Sequence, residues 1–413
     1  MNIYAAIILF TLGADYILSI TATLLNFKTL GKDLPAEFSG IYEREEYARS
    51  QAYTKTRMLF STVTGFFGLA LVLIFWFCRG FNVLDVWIRP WGLHPIWNGL
   101  IFIGILILGR TLLTLPFGIY ETFVIEERFG FNRTRPVTFV TDLIKSLILS
   151  VVLGGPLLAG VLALFLYGGR WVWIAAWAAV AVFSLLIQFI APRWILPLFN
   201  KFKPLPEGSL RKKILDYANS VNYRVSGVFL MDGSRRSSKS NAFFTGFGRN
   251  KRIALYDTLL DKHSEEEVVT VLAHEIGHYK KKHVLKGMVL SLVHLGILFF
   301  LLSLFISNRG LFDAFYMENL SMYAGLVFFG LLYSPIELVL SPLLNALSRK
   351  HEVEADAFAV QTTNAPDHFI SALKNLSRDN LTHLLPHPFY VFLHYSHPPV
   401  LQRIRKIRLM RES

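Results

Sequence analysis

Val269-Thr270-Val271-Leu272-Ala273-His274-Glu275-Ile276-Gly277-His278-Tyr279 is an apolar, helix-compatible run that encloses the pattern H-E-x-x-H. On a helix, residues four apart share a face. If this run is a helix, His274 and His278 can converge on one zinc ion, with Glu275 pointing beside them at the metal's open position, the parts of a metalloprotease. A helix is also signalled independently. Ser264 followed by Glu265, Glu266 and Glu267 reads as a capping box, with Ser264 as N-cap and Glu267 at N3, and the carboxylates suit the positive end of the helix dipole. The helix is predicted to begin at about Glu265. Soluble helices also carry H-E-x-x-H without metal, so the rest of the chain has to decide.

Outward from this run, the composition excludes an ordinary soluble protein. Of 413 residues, 53% are hydrophobic, and the mean hydropathy is +0.43. Seven stretches are apolar enough to span a bilayer: 3–27, 58–78, 96–120, 146–168, 171–190, 287–306 and 322–345. The fold class is a polytopic α-helical membrane protein. The first stretch has no basic n-region and no small-residue cleavage site, so it is read as a retained span. Cys78 is the single cysteine and is placed in a span, which excludes an intramolecular disulfide framework and a multi-cysteine zinc site.

The net charge of +13 comes without any aromatic-interleaved basic motif, so no nucleic-acid partner is expected. The charge reads as topology instead. Seven spans put residues 28–57, 126–145, 192–286 and the C-terminal tail on one side, while the opposite loops carry only Arg79, Arg89, Arg170 and Arg309 as basic residues. The positive-inside rule assigns the first side to the cytosol. The zinc helix then starts in the cytosol and is expected to run into the sixth span through Lys280, Lys281, Lys282, His283 and Lys286, with the metal near the membrane surface.

The chain divides into 1–191 with five spans, a cytosolic metalloprotease segment 192–286, spans six and seven in 287–345, and a cytosolic segment 346–413 that completes the site. Residues 192–286 read as a small α+β unit. A helix is expected at 210–219 and strands at 228–231, 241–247 and 252–256, the last two separated by the turn Gly248-Arg249-Asn250.

Two histidines do not close a catalytic zinc site; a third protein ligand is required. Metzincin spacing would place Gly and His where Lys281 and Val284 stand, so a carboxylate from elsewhere is needed. The segment Ser348-Arg349-Lys350-His351-Glu352-Val353-Glu354-Ala355-Asp356 offers one. Glu352 and Asp356 share a helix face, so one can bind zinc while the other orients a ligand histidine. On the residues alone, His351 and Glu354 stay open as third ligands.

Several collinear motifs accompany this segment: Glu126-Glu127-Arg128-Phe129-Gly130-Phe131-Asn132, Pro197-Leu198-Phe199-Asn200 through Pro204-Leu205-Pro206-Glu207-Gly208, Ser240-Asn241-Ala242-Phe243-Phe244, and His394-Tyr395-Ser396-His397-Pro398-Pro399. Together with H-E-x-x-H and 352–356, they make nearly the whole chain resemble the zinc-dependent CAAX prenyl proteases, seven-span membrane metallopeptidases of the gluzincin type. The resemblance implies seven helices around a water-filled chamber, with one zinc ion per chain at its cytosolic roof. It implies His274, His278 and Glu352 as zinc ligands, Glu275 as general base, and His397 and Arg403 near the developing oxyanion. Asn241, Ala242 and Phe243 would belong to an edge strand that receives the substrate backbone; Phe243 departs from the family's frequent Tyr.

Bland readings stand beside these. His283 is expected to be a surface histidine in a basic cluster, His294 a packed or hydrogen-bonded bundle residue, and His397 part of a rigid turn before Pro398-Pro399. Arg403, Arg405, Lys406 and Arg408 ordinarily form a headgroup-facing helix side. Asp15, Arg110 and Glu337 are costly in lipid and must pair or face water. The resemblance implies an endopeptidase that removes the last three residues after a prenylated cysteine, acting on peptides or prenylated proteins among membrane lipids. The alternatives are a quality-control protease with no prenyl requirement and a non-enzymatic scaffold with a vestigial site; the complete ligand set argues against the latter. The chain ends Arg411-Glu412-Ser413 without a retrieval signal, which leaves a bacterial inner membrane and the endoplasmic reticulum both open.

Overall fold

A computed structural model of the chain describes residues 2–245 and 252–412. Among them, six helices are long and apolar enough to cross a membrane: Ile3–Phe27, Arg44–Phe77, Pro95–Glu126, Pro136–Tyr167, Val172–Phe199 and His283–Phe305. Met322–Leu332 and Ser334–Thr363 meet at a 51° bend and together are long and apolar enough for a seventh. Pro335 sits in the first turn of the second of these helices, where its missing N–H is tolerated but the preceding helix cannot continue through it.

The helices overrun the expected apolar limits at several ends. Arg44–Phe77 begins well before residue 58 because a capping box between Glu43 and Glu46 starts it, and Tyr47 and Tyr53 then bury in the clusters of Phe369 and Phe129, respectively. Pro136–Tyr167 likewise begins with a proline in its first turn rather than at residue 146. Cys78 lies just past the end of a span, at a helix C-cap, and is exposed. The expected continuous passage from the zinc helix into the sixth span is not found. The helix Glu265–Lys280 stops, Lys282 takes a left-handed conformation (φ 59°), and a new helix starts at His283. That corner turns His283 back toward the helix it has just left.

Four strands form one sheet in the order β1-β2-β4-β3, where β1 is Phe202–Pro204, β2 Gly227–Met231, β3 Ala242–Thr245 and β4 Arg252–Tyr256. β2 and β4 run parallel, and the outer pairs are antiparallel. β1 has only three residues beside lysines and prolines, which left no alternation to detect. The expected turn Gly248-Arg249-Asn250 lies outside the described residues. One face of the sheet, with Val228, Ala242, Ile253 and Leu255, packs on Val268 and Leu272 of the zinc helix. A fully buried leucine of this kind contributes roughly 1.5–3 kcal/mol. The other flank of that helix meets Phe369 and Ile404 of the C-terminal helices, and Phe38 and Tyr42 from the first connection join the same core. Segments 192–286 and 346–413 thus pack as one body around the zinc helix. A separate aromatic cluster, including Trp76, Phe81, Phe312, Phe315 and Phe328, ties the chain together elsewhere.

Candidate active site

The helix Glu265–Lys280 carries the capping box read from the sequence: Glu267 N–H donates to Ser264 Oγ at 3.2 Å and Ser264 N–H to Glu267 Oε2 at 3.3 Å. Glu267 is buried, and it also accepts from Ser371 and from Asn375 at 2.9 Å, which locks the helix start to Pro366–Asp379. Lys213 bridges Glu265 and Glu266 from the helix Ser209–Ser220. The far end of the zinc helix lies against Ser334–Thr363. Gly277 makes that approach possible, since a Cβ there would stand 3.1 Å from Ala355 Cα and 3.1 Å from Ala355 O.

This close contact brings three donors together. His274 Nε2 and His278 Nε2 are 3.2 Å apart, Glu352 Oε1 is 3.2 Å from the latter, and Glu352 Oε2 is 3.3 Å from the former. Among the described residues they are the one group of three or more His, Cys, Asp or Glu side chains with ligand atoms all within 4.8 Å. Nε2 of each histidine faces both the other ring and the Glu352 carboxylate, and Glu352 Oε2 is buried without a hydrogen-bond partner. Tetrahedral zinc with donors at about 2.0–2.1 Å would separate them by about 3.3 Å, so the spacing and the donor set fit that ion.

Behind the donors, Asp356 Oδ1 lies 2.7 Å from His274 Nδ1. Arg403 grips the same carboxylate in a fork, Nε to Oδ2 at 2.8 Å and Nη2 to Oδ1 at 2.6 Å. Arg403 is mostly buried, with 13% of its side chain exposed, and burial opposes its charge while Asp356 raises its affinity for the proton. It is thus turned inward, unlike Arg405, which is 65% exposed and pairs with Glu37. The expectation of one headgroup-facing basic side fails for Arg403, because the Asp356 carboxylate offers it a buried counter-charge. Burial disfavours a charged His274, yet its bonds to Asp356 and Glu352 raise its pKa to about 9. The field that would hold that proton equally favours a bound cation. Half-buried Glu275 has its pKa pushed up by desolvation, in the direction that suits a general base.

His397 reaches the open side of the cluster. Its Nε2 is 3.3 Å from Glu352 Oε1, its side chain is 64% exposed, and Ser396 Oγ meets its Nδ1 at 2.9 Å. Asn241, Ala242 and Phe243 fall at and within β3, the sheet's edge strand. Asn241 C=O accepts from Tyr256 N–H, so in a trans peptide the Ala242 N–H points away from the sheet, where Asn241 Oδ1 holds it at 2.8 Å.

His351 and Glu354 are not among the converging donors; both lie beside His283. His283 itself departs from the surface role expected of it, being only 5% exposed and 3.1 Å from His278. The signal in the sequence was its position just after a lysine-rich helix end, which gave no hint of the left-handed corner that buries it. His294 faces Glu337 at 3.2 Å, while Asp15 and Arg110 are exposed within their spans.

Residues 24–201 match a family model described as CAAX prenyl protease N-terminal, five membrane helices, and residues 204–411 match one described as Peptidase family M48. The chain is 38% identical over 386 residues to a CAAX prenyl protease 1 homolog of Arabidopsis thaliana, covering 91% of this chain and 90% of that protein. It is 33% identical over 427 residues to the Homo sapiens CAAX prenyl protease 1 homolog, covering 92% and 89%. The crystal structure of S. mikatae Ste24p is similar with a TM-score of 0.91 at 31% identity, covering 98% of this chain and 99% of that one.

Proposed function

We propose, from the premise that this chain belongs to the CAAX prenyl protease family of membrane zinc metalloproteases, that it removes the C-terminal tripeptide after a prenylated cysteine. The observation that carries this reading is the trio His274, His278 and Glu352, whose donors stand 3.2–3.3 Å apart on two helices joined at Gly277. These three residues would hold one zinc ion, with Asp356 and Arg403 fixing His274. A zinc ion held there would supply Lewis acidity, polarising the scissile carbonyl and lowering the pKa of the attacking water.

The chain's own groups carry the rest. Glu275, beside the donors but not one of them, takes the proton from the attacking water and delivers it to the departing amine nitrogen. His397 Nε2, on the exposed side, donates to the carbonyl oxygen as it becomes negative; removal of one such donor costs about 3–4 kcal/mol in comparable sites. Arg403, with its fork committed to Asp356, acts on that charge through the field behind the ligands. The substrate backbone adds to the β3 edge, where its carbonyl takes the Ala242 N–H that Asn241 Oδ1 now occupies. Asp15 and Arg110 are exposed within spans, and charged groups at membrane depth are stable beside internal water, which is consistent with a water-filled chamber. The Lys and Arg distribution supports a site on the cytosolic side of a bacterial inner membrane or the endoplasmic reticulum.

The test is Glu275→Ala, assayed for zinc content and for cleavage of a farnesylated peptide and its unmodified twin. Full zinc with no cleavage of either peptide is expected, together with faster cleavage of the farnesylated peptide by the parent. Lost zinc or retained cleavage in the variant overturns the role of Glu275. Equal rates on the two peptides by the parent overturn the prenyl preference.

A further inference from the structure

We propose that His283 and Glu354 form a relay that positions the zinc ligand His278 from behind, fixing which of its ring nitrogens faces the metal. The inference rests on the ligand reading above and adds two residues to it. His278 turns Nε2 toward His274 and Glu352, so its Nδ1 is the free ring nitrogen, and this lies 3.1 Å from Nδ1 of His283. Two Nδ1 atoms at that distance hold one hydrogen between them. An imidazole that binds metal through Nε2 carries its proton on Nδ1, so His278 is the donor and His283 the acceptor. The proton of His283 is then on Nε2, which lies 3.0 Å from Glu354 Oε2. Each atom in the line has one role, and only one arrangement of hydrogens satisfies all of them.

The surroundings keep the relay in place. His283 is 5% exposed, and its ring stacks on His351 with centroids 4.1 Å apart and planes 10° from parallel, which blocks rotation about its χ angles. Glu354 is on the same helix as the ligand Glu352 but two positions on, so it projects from a different face and meets the start of the sixth span. The left-handed Lys282 is what returns His283 to its neighbour five residues earlier. The relay therefore links three elements: the zinc helix, the sixth span and Ser334–Thr363. It also makes the two ligand histidines unequal. His274 meets a carboxylate directly at 2.7 Å, whereas His278 meets one through an intervening imidazole. His283 is a positioning residue in this scheme, since it acts through His278 and not on substrate.

The experiment uses the full chain in detergent micelles, with zinc affinity read by competition with a chelator and ligand geometry by the visible absorption of the cobalt-substituted protein. His283→Phe keeps the stacked ring and removes the acceptor; His283→Gln returns an acceptor oxygen; Glu354→Ala changes a side chain that is 34% exposed and so spares folding. His283→Phe is expected to lower zinc affinity about 10–100-fold and to shift the cobalt bands. His283→Gln should recover most of both, and Glu354→Ala should move both in the same direction as Phe by a smaller factor. Parent affinity and parent cobalt bands in Glu354→Ala, or equal losses in the Phe and Gln variants, overturn the relay. Glu352→Ala is measured alongside: its full loading with zinc overturns the ligand reading, while its loss of zinc beside an unaffected Glu354→Ala overturns the relay alone.

Discussion

Gly277→Ala adds one methyl group where the zinc helix and Ser334–Thr363 touch. The new Cβ would lie 3.1 Å from Ala355 Cα, 3.1 Å from Ala355 O and 3.2 Å from Phe358 Cβ, against 3.4–4 Å for ordinary contact. Two of these atoms are backbone and the third is attached directly to it, so the helices themselves must move apart by a few tenths of an ångström. Overpacking of this kind costs about 1–3 kcal/mol, and Ala recovers about 0.8–1.0 kcal/mol over Gly in helix propensity, so net destabilisation is about 0–2 kcal/mol. The metal is affected separately. His278 follows Gly277 directly and Glu352 lies about one turn before Ala355, so separation opens the donor spacing, and metal sites hold their distances to about ±0.2 Å. Zinc binding has to re-close a contact the metal-free protein relaxes, and 1–2 kcal/mol of that strain corresponds to about a 5–30-fold loss of zinc affinity. Chelator competition measures the affinity, and thermal unfolding of the metal-free protein measures the stability. Parent zinc affinity in a folded Gly277→Ala would refute the argument that this helix contact sets the ligand spacing.

Other outcomes follow from the same geometry. Arg403→Lys replaces a planar fork with a point charge, so His274 should lose its fixed partner and zinc affinity fall about 10-fold or more, while Arg405→Lys on the same helix leaves it unchanged; equal effects would deny Arg403 its role. Ala242→Pro removes the outward N–H at the β3 edge and should keep zinc but cleave farnesylated and plain peptides poorly, whereas parent turnover in both would remove β3 as the docking edge. Ser237→Cys and Gly169→Cys, each in a Cys78→Ser background, should react with an impermeant thiol reagent from opposite sides of the membrane, with Ser237→Cys reached only from the cytosol.

What neighbouring residues can specify was present in the sequence alone. The capping box at Ser264, the spacing of His274 and His278 and the apolar lengths of the spans depend on period and hydropathy within a turn or a window, so the start at Glu265 and the existence of the long apolar helices follow from them. Helix ends were less determined, because Arg44 to Arg57 stays helical only through its cap and through Tyr47 and Tyr53 packing on distant elements. Tertiary structure decided which of His351, Glu352 and Glu354 faces the two histidines. All three lie on one helix, and its rotation is fixed by the backbone approach at Gly277 and Ala355, a contact between segments far apart in the chain. It likewise turned Arg403 inward and buried His283, where a hydrophilic window predicted exposure. A buried polar group is stable only beside its partner, and Asp356 and Glu354 reach Arg403 and His283 only after the helices have packed.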